Sequence, residues 1–462
     1  MSEAPTMRPS PAAWMDAARA WWARGDAGMR DATRGALGLP TDRPVVMSGH
    51  QCEFWHPGIL AKFFAAQACA RALGGCAAWA EVDQDSGAAW DVAYPTRGLE
   101  RRVWRVGEPE GGPPAEGTPA GCVGALRVTQ AAAPGEGVPE FVANGLRAIR
   151  AACAAHTGEA SLARQVQRAR GDLLRGAGLV APGDPAPTPV WALTLIETPV
   201  MREAVEAMRR EPGACVAAHN AAAAAHPGAR VRALHARGAR VELPLWWVRP
   251  GAARRRVYAD ELAGGGVGPG GAGRDGATLA PRALLLTGVL RRAACDLFVH
   301  GLGGEKYDLV TEAWLRNWLG WELAPTAVAT ATRRLALGDR TLPEPSEIQR
   351  ARAAAHRAAH DPAMVGEAEA GARKRALVAA IRGAGTRAER AGLFRAMHDL
   401  LAEVRARRGG EVESLAARAR ELAGLASRAA VAHDRTWAFP LYPAAVLREL
   451  RDAVRAGFGA NA

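Results

Sequence analysis

The sequence predicts an α/β protein built on a parallel sheet, with a helical hairpin towards the C-terminus. Three observations carry that prediction. Residues 44–47 are an apolar, β-branched run that leads into Gly49-His50-Gln51, and an apolar-periodic helix over 58–73 leads to a second apolar run at 76–82. Strand, polar turn, helix and strand make a βαβ unit. Both apolar runs end in polar clusters, Gly49-His50-Gln51 and Asp83-Gln84-Asp85, and ligands of such sheets sit beyond the carboxyl ends of the strands. From residue 345 to 432 strand signals vanish and Ala, Arg, Glu and Leu dominate, which reads as two long helical arms folded back on each other, an element that often dimerises as a coiled coil; the repeat is not a clean heptad, so a compact helical subdomain is the plain alternative.

At 462 residues the chain is too long for one small core. It divides into a first part of the sheet core (1–135), a helical insertion (136–235), a second part of the core (236–344), the hairpin (345–432) and a tail packing on the core (433–462). No run of about 18 uncharged apolar residues occurs, which speaks against a membrane span. Residues 1–19 lack a signal-peptide core, so a cytoplasmic location is expected. The net charge of +12 invites a nucleic-acid partner. The arginines are scattered, however, and the one cluster, Arg254-Arg255-Arg256, lacks the interleaved aromatics of single-strand binders. Solvated surface arginine is the reading taken, with no nucleic acid and no membrane among the partners. Lysine occurs only at 62, 306 and 374. The seven cysteines are odd in number and form no Cys-x-x-Cys pair, so neither a disulfide framework nor a thiolate zinc site is indicated.

In chain order, helices are expected over 12–22 and 28–37, then the βαβ unit to Asp85. Short strands follow at 90–95 and 101–106, and an irregular Gly/Pro-rich loop at 109–137. Two or three helices fill 141–179. A strand over 190–196 runs into Thr198-Pro199, an N-cap and first-turn proline that start a helix. Another helical piece spans 220–226. Residues 241–248 and 255–259 read as a strand pair, 264–276 as a glycine loop, 281–292 as a helix and 295–300 as a buried strand. A helix from about 305 to 319 and a strand over 321–329 complete the core.

Four groupings carry candidate chemistry. In Gly49-His50-Gln51, His50 suits acid/base work and Gln51 hydrogen bonding, or both cap the helix. His50, Cys52 and His56 lack the carboxylate or cysteine spacing of a metal site, so no metal is assigned. Asp83-Gln84-Asp85 pairs two carboxylates at a strand end, where they orient an amine, bind a sugar or hold Mg²⁺, or simply cap a turn. His300-Gly-Leu-Gly-Gly-Glu-Lys-Tyr-Asp308 is a strand, a glycine-rich loop and a helix, the layout of a phosphate cradle, although it matches neither the Walker A nor the dinucleotide pattern. A solvent turn is the plain alternative. A retained Lys306 in an arginine-rich chain suggests a specific need for lysine. Asn220 and Glu242 are further candidates, each with a structural alternative as a helix cap or an edge position.

Together these residues resemble a family. Val45-Val-Met-Ser-Gly-His-Gln51 is similar to the "VVTGQQ" opening of the cysteine-adding enzymes of bacillithiol biosynthesis (the BshC family), and Trp79 to Asp85 falls where that family has a strand ending in "EDHD". Residues 281–334, with Gly303-Gly304-Glu305, resemble its segment ending in a "GGPGE" turn, helix and strand. The helical region of 345–432 matches its coiled-coil arm in order. The chain reads as a divergent member, with His50 for the first glutamine, Gln84 for the histidine between the aspartates, and no proline before Glu305.

The resemblance implies a Rossmann-like core with helical insertions and a dimerising coiled coil, hence a homodimer. It implies a ligase-type enzyme that joins cysteine to an amino-sugar conjugate, or to another amine, and a nucleotide such as ATP or ADP. Under that reading His50, Gln51, Asp83 and Asp85 are catalytic, with Asp83 or His50 as general base. Gly301, Gly303, Gly304, Glu305 and Lys306 hold an anion. Gly49, Gln84, Asn220, Glu242, His300, Tyr307 and Asp308 bind substrate. The alternative is a non-enzymatic nucleotide- or metabolite-binding protein on the same fold.

Overall fold

A computed structural model of the chain describes residues 3–24, 27–86, 90–129, 132–181, 184–237, 240–263, 271–273, 276–338 and 342–459. Its strands in chain order begin with β1 (Thr6–Arg8), β2 (Val45–Gln51), β3 (Cys76–Val82), β4 (Asp91–Pro95) and β5 (Arg101–Arg105). Then come β6 (Gly107–Pro109), β7 (Leu126–Val128), β8 (Thr188–Trp191), β9 (Ala236–Arg237) and β10 (Arg240–Arg249). β11 (Ala252–Tyr258), β12 (Thr278–Pro281), β13 (Leu297–His300) and β14 (Thr326–Thr330) complete the set. Contacts divide the chain into two compact units. One comprises Met1–Tyr94, Arg102–Arg333 and Arg435–Ala462, the other Pro95–Arg101 and Arg334–Asp434.

The larger unit is organised on a six-stranded sheet of order β1-β14-β13-β2-β3-β8. All its pairs are parallel except β1 with β14. From β2 the chain steps outward through β3 to β8, then crosses back to β13 and β14 on the other side. The direction of winding therefore reverses between β2 and β13. Alanine, valine and other apolar side chains of β2, β3 and β13 fill the core of this sheet, Val45, Met47, Ala78, Ala80 and Phe298 among them.

A buried ion pair sets the register at the reversal. Asp296, just before β13, takes the amide of Val45 on its Oδ2 at 2.7 Å, and the Asp296 amide donates to Val45 O at 2.8 Å. Arg34 Nη2 lies 2.7 Å from the same Oδ2, with both side chains sealed from solvent. Further along, Ser48 Oγ donates to Val299 O at 2.7 Å. These bonds lock Val46 opposite Leu297 and Ser48 opposite Val299, which brings Gly49 and His300 level at the carboxyl ends.

A second sheet has the order β11-β10-β12, with β9 also on β10. Pro244 lies within β10, and the β11 register slips between Leu243 and Trp246, since proline removes a ladder donor and favours bulges. Its core joins Leu243, Leu245, Trp247 and Leu279 to Val200, Met201, Met208 and Trp314 from flanking helices.

Several expectations are corrected. Gly49-His50-Gln51 is no turn: β2 continues through Gln51, pairing these residues with Ala80, Glu81 and Val82. The helix after it, Pro57–Ala72, is capped by His56, whose Nδ1 accepts from Gly58 N at 3.1 Å. Residues 136–235 are not wholly helical, because β8 is a strand of the main sheet. It ends at Trp191, not Ile196, as a 3₁₀ segment, Ala192–Glu197, turns Leu193 N onto Asp83 Oδ1 at 2.9 Å. The strand β12 was not anticipated. The expected helix over 281–292 is Ala283–Val289 running into a π-helical Leu290–Ala294. The glycine loop of 264–276 lies mostly outside the described residues.

The smaller unit differs from the two-armed hairpin expected. It holds five α-helices, Pro345–Ala358, Ala368–Gly383, Arg387–Arg407, Gly409–Gly424 and Ala426–Ala432. Local chemistry breaks the arms. Gly366 sits in the left-handed region at φ 81°. At Thr386 a capping box starts a new helix, with Thr386 Oγ1 accepting from Glu389 N and Glu389 Oε2 from Gly385 N, both at 3.1 Å. Ala358, Val365, Ala370, Leu400 and Val404 form a small core of its own.

Replacing Asp296 by alanine leaves the sealed Arg34 guanidinium unbalanced, which costs about 3–5 kcal/mol. Urea unfolding of the full chain should show that loss. The double variant Arg34→Met/Asp296→Leu should recover most of it.

Candidate functional site

The carboxyl ends of β2, β3 and β13 open onto a cavity of about 570 Å³, within the usual size of small-molecule clefts. β2 supplies Gly49, His50 and Gln51, and the turn after β3 supplies Gln84 and Asp85. From β13 and the loop beyond it come His300, Gly301, Gly303 and Gly304, with Tyr307 one helical turn on. The second sheet contributes Trp246 and Arg254, and Arg282 and Thr287 line the cavity beside them. It thus lies where the winding reverses, the usual ligand position in open parallel sheets.

Close neighbours fix two of the glycines. A Cβ on Gly49 would stand 2.6 Å from Ala80 Cβ, and one on Gly304 would stand 2.3 Å from His300 Nδ1. Glycine at 304 therefore lets the helix Gly304–Leu319 start against the His300 ring.

Lys62 reaches the cavity from the Pro57–Ala72 helix, of which fourteen residues, Pro57 to Ala70, are buried. Its Nζ donates to Gly49 O at 2.8 Å. Burial pushes its pKa down to about 8. His50 Nε2 stands 3.1 Å from Glu53 Oε1. Burial lowers the His50 pKa, Glu53 opposes that, and Lys62 adds to it. His56 is pushed down to about 4, by burial first and then by His50.

On the other side Gln51 Nε2 donates to Asp85 Oδ2 at 3.3 Å, and Arg254 Nη1 lies 2.6 Å from Asp85 Oδ1. Arg254 also donates to Gln84 O at 3.0 Å. The guanidiniums of Arg254 and Arg282 stand 4.6 and 4.7 Å from the centroid of Trp246. His300 Nε2 is 2.9 Å from Asp308 Oδ2, and Arg291 pairs with the same oxygen. Burial would raise the Asp308 pKa, but His300 and Arg291 hold it below the usual carboxylate value. His300 is thereby fixed by a buried acid. Tyr307 is pushed up to about 12, by burial and then by Asp308.

Other expected site residues lie elsewhere. Asp83 is 5% exposed and outside the cavity lining. Its carboxylate accepts from Leu193 N, and a Cβ on Gly121 would meet its Oδ2 at 3.0 Å. Burial raises its pKa to about 7, against that backbone bond. Asn220 clamps Leu234 through both backbone groups, at 2.9 and 2.8 Å. Glu242 takes Arg282 at 2.6 Å, Arg256 at 3.4 Å and His235 N at 3.2 Å. Asp308 acts through His300 and does not line the cavity. Glu305 is exposed and pairs with Arg8 at 3.1 Å, and Lys306 is exposed.

Sequence reading missed Lys62, Trp246, Arg254 and Arg282. A signal for Lys62 existed, since a lysine in a helix apolar all round is rarely buried without a task. Arg254 was read as surface charge. Instead its cluster is bridged residue by residue, Arg254 to Asp85, Arg255 to Glu261 and Arg256 to Glu242.

The glycine loop suits a nucleotide triphosphate poorly. The first helical amides, of Gly304 and Glu305, already donate to Gly301 O at 3.0 and 3.4 Å, and Lys306 lies outside the cavity. No step is drawn through a nucleotide. No helix among the described residues is long and apolar enough to cross a membrane. No protein-family model matches the chain, and no curated protein matches it.

Lys62 titrates at about 8 when folded against 10.5 when unfolded. Between those values the unfolded chain binds more protons, so stability climbs as pH rises through the window. The full climb is about 3 kcal/mol. Lys62→Met should abolish it and be more stable than wild type at pH 7, read by urea midpoints across pH 7–10.5.

Proposed function

We propose that the chain is a Rossmann-like enzyme of the ligase type that forms an amide on an amine substrate. By the resemblance the partners are cysteine and an amino-sugar conjugate, or a related amine. One observation carries this reading. The three stretches that resemble the cysteine-adding family, residues 45–51, 79–85 and 281–334, are far apart in sequence and converge on one cavity. The strand order, reversing at β2 and β13, supports the Rossmann-like reading.

The amine nitrogen attacks the carboxyl carbon of cysteine presented as an acyl phosphate: the C–N bond forms, the C–O bond to phosphate breaks, phosphate leaves, and a base takes the proton that the nitrogen sheds. His50 meets the need at neutral pH. Burial keeps it uncharged, and Glu53 beside Nε2 favours the proton on that nitrogen, leaving Nδ1 a free lone pair. Asp85, held by Gln51 and Arg254, accepts from the amine and orients it. His300, fixed by Asp308, is the second imidazole lining the cavity. Asp83, engaged with Leu193, is not the base.

Mass spectrometry of reactions holding cysteine and the glucosaminyl malate conjugate tests this, with ATP as the phosphoryl donor that activates the carboxyl group and with an ATP-free blank. Wild type should yield the amide, and His50→Ala should lower kcat/KM by roughly 10²–10⁴. Absence of amide from wild type, with no heat of binding for either substrate, would sink the proposal.

A further inference from the structure

Two buried polar groups in this cavity lack the partners their chemistry calls for. Lys62 is 6% exposed. Its ammonium has three donors, of which one goes to Gly49 O. No carboxylate stands within ion-pair distance of it among the described residues. Burial is the cause that shifts Lys62, with no acid opposing it, and Glu53 faces His50. Its Nζ also stands 5.7 Å from the centroid of the Trp79 ring, which offers a π face and no formal charge. Lys62 and Arg170 both add to burial in lowering His50, and Arg435 and Lys62 do so for His56. The cavity arginines are different. Arg254 is balanced by Asp85 and Arg282 by Glu242. A buried cation without a counterion is costly, and here the missing charge lies on the cavity side.

The second group is Gln84, 2% exposed. Its Nε2 donates to Pro281 O at 3.4 Å, which fixes the amide orientation. Its Oε1 is buried and has no partner among the described residues. It lines the same cavity as Lys62. An acceptor in that position calls for an N–H or O–H from a ligand.

We infer that the substrate carries an oxyanion, a carboxylate or a phosphate, seated on Lys62 between Gly49 and Gly301, together with an amine or hydroxyl that donates to Gln84 Oε1. The inference rests on the ligase reading above and names the substrate's chemistry. A Cβ on Gly301 would stand 3.7 Å from Lys62 Cδ, so the lysine stem runs beneath that loop and its head emerges beside Gly49. Lys306, the lysine that sequence reading favoured for the anion, is exposed and outside the cavity.

The chain's three lysines make the test direct. Full-length protein labelled at lysine Cε with ¹³C gives three resonances, assigned with Lys306→Arg and Lys374→Arg. Each is titrated alone and with inorganic phosphate, propionate or lactate, the last two differing by one hydroxyl. An oxyanion on the seat should raise the Lys62 pKa by about one unit or more and leave Lys306 and Lys374 unmoved. A rise with phosphate only names a phosphorylated substrate, and a rise with the carboxylates only names an organic acid. Lactate should bind roughly five- to tenfold more tightly than propionate. Gln84→Leu should erase that preference while retaining the Lys62 response to whichever anion binds wild type. The inference is overturned if none of the three probes moves Lys62, or if lactate keeps its preference in Gln84→Leu. Amide formation without any Lys62 response would refute the seat alone. A Lys62 response without amide formation would refute the ligase reading alone.

Discussion

The contact on which the rest of the larger unit depends is the exchange between Asp296 and Val45, braced by Arg34. A carboxylate buried at the start of β13 takes the first amide of β2, and the two strands cannot slip past each other while it does. Parallel strands carry no hairpin to set their register, so some other device must. Here it is one sealed ion pair, at the level where the winding of the sheet reverses. Everything at the opposite ends of these strands inherits its alignment. Gly49 comes level with His300, the Lys62 ammonium can reach the Gly49 carbonyl, and the Gly301 loop closes over the lysine stem.

From that alignment follows an uneven electrostatic lining. Where the second sheet meets the cavity, charge is matched: Arg254 answers Asp85, Arg282 answers Glu242, and both guanidiniums lie against Trp246. Along β2 it is not matched. Lys62, His50 and His56 share one region with Glu53 as the acid beside them, and burial drives all three bases towards neutrality. A neutral imidazole and a buried ammonium without a counterion are poor structural glue. They suit a proton acceptor and an anion seat, each ready for a ligand that restores the missing interaction. The stability forgone at Lys62 is consistent with a residue kept for binding.

Much of this was legible in the sequence, for physical reasons. The apolar runs at 45–47 and 76–82 are largely buried and read as strands, and the helix between them is buried from Pro57 to Ala70 although it carries Lys62 and Gln67. Their polar ends were legible as a site because polar residues closing such strands have little else to do. The exact ends were not. His50 and Gln51 look like turn residues in sequence, yet they extend β2 because β3 offers backbone partners through Val82. Long-range pairings were invisible: nothing local says that Glu242 will meet Arg282, or that Arg254 will cross to Asp85. Of the three lysines Lys306 stands near glycines and draws the eye, whereas Lys62 sits in a helix buried from Pro57 to Ala70. In the smaller unit, Ala/Arg-rich sequence suits either long arms or short helices, and single residues such as Thr386 and Gly366 decide between them.

On the proposed reading the cavity between β2 and β13 binds an anionic small molecule. The most direct test is a thermal-stabilisation screen of small metabolites, run in parallel on wild type and Lys62→Met, since a ligand bound only by the native state raises its stability. The account predicts that the metabolites raising the wild-type Tm are anions and that they leave Lys62→Met unmoved. Stabilisation of both proteins to the same degree, or stabilisation of wild type by cationic or purely apolar compounds alone, would contradict it.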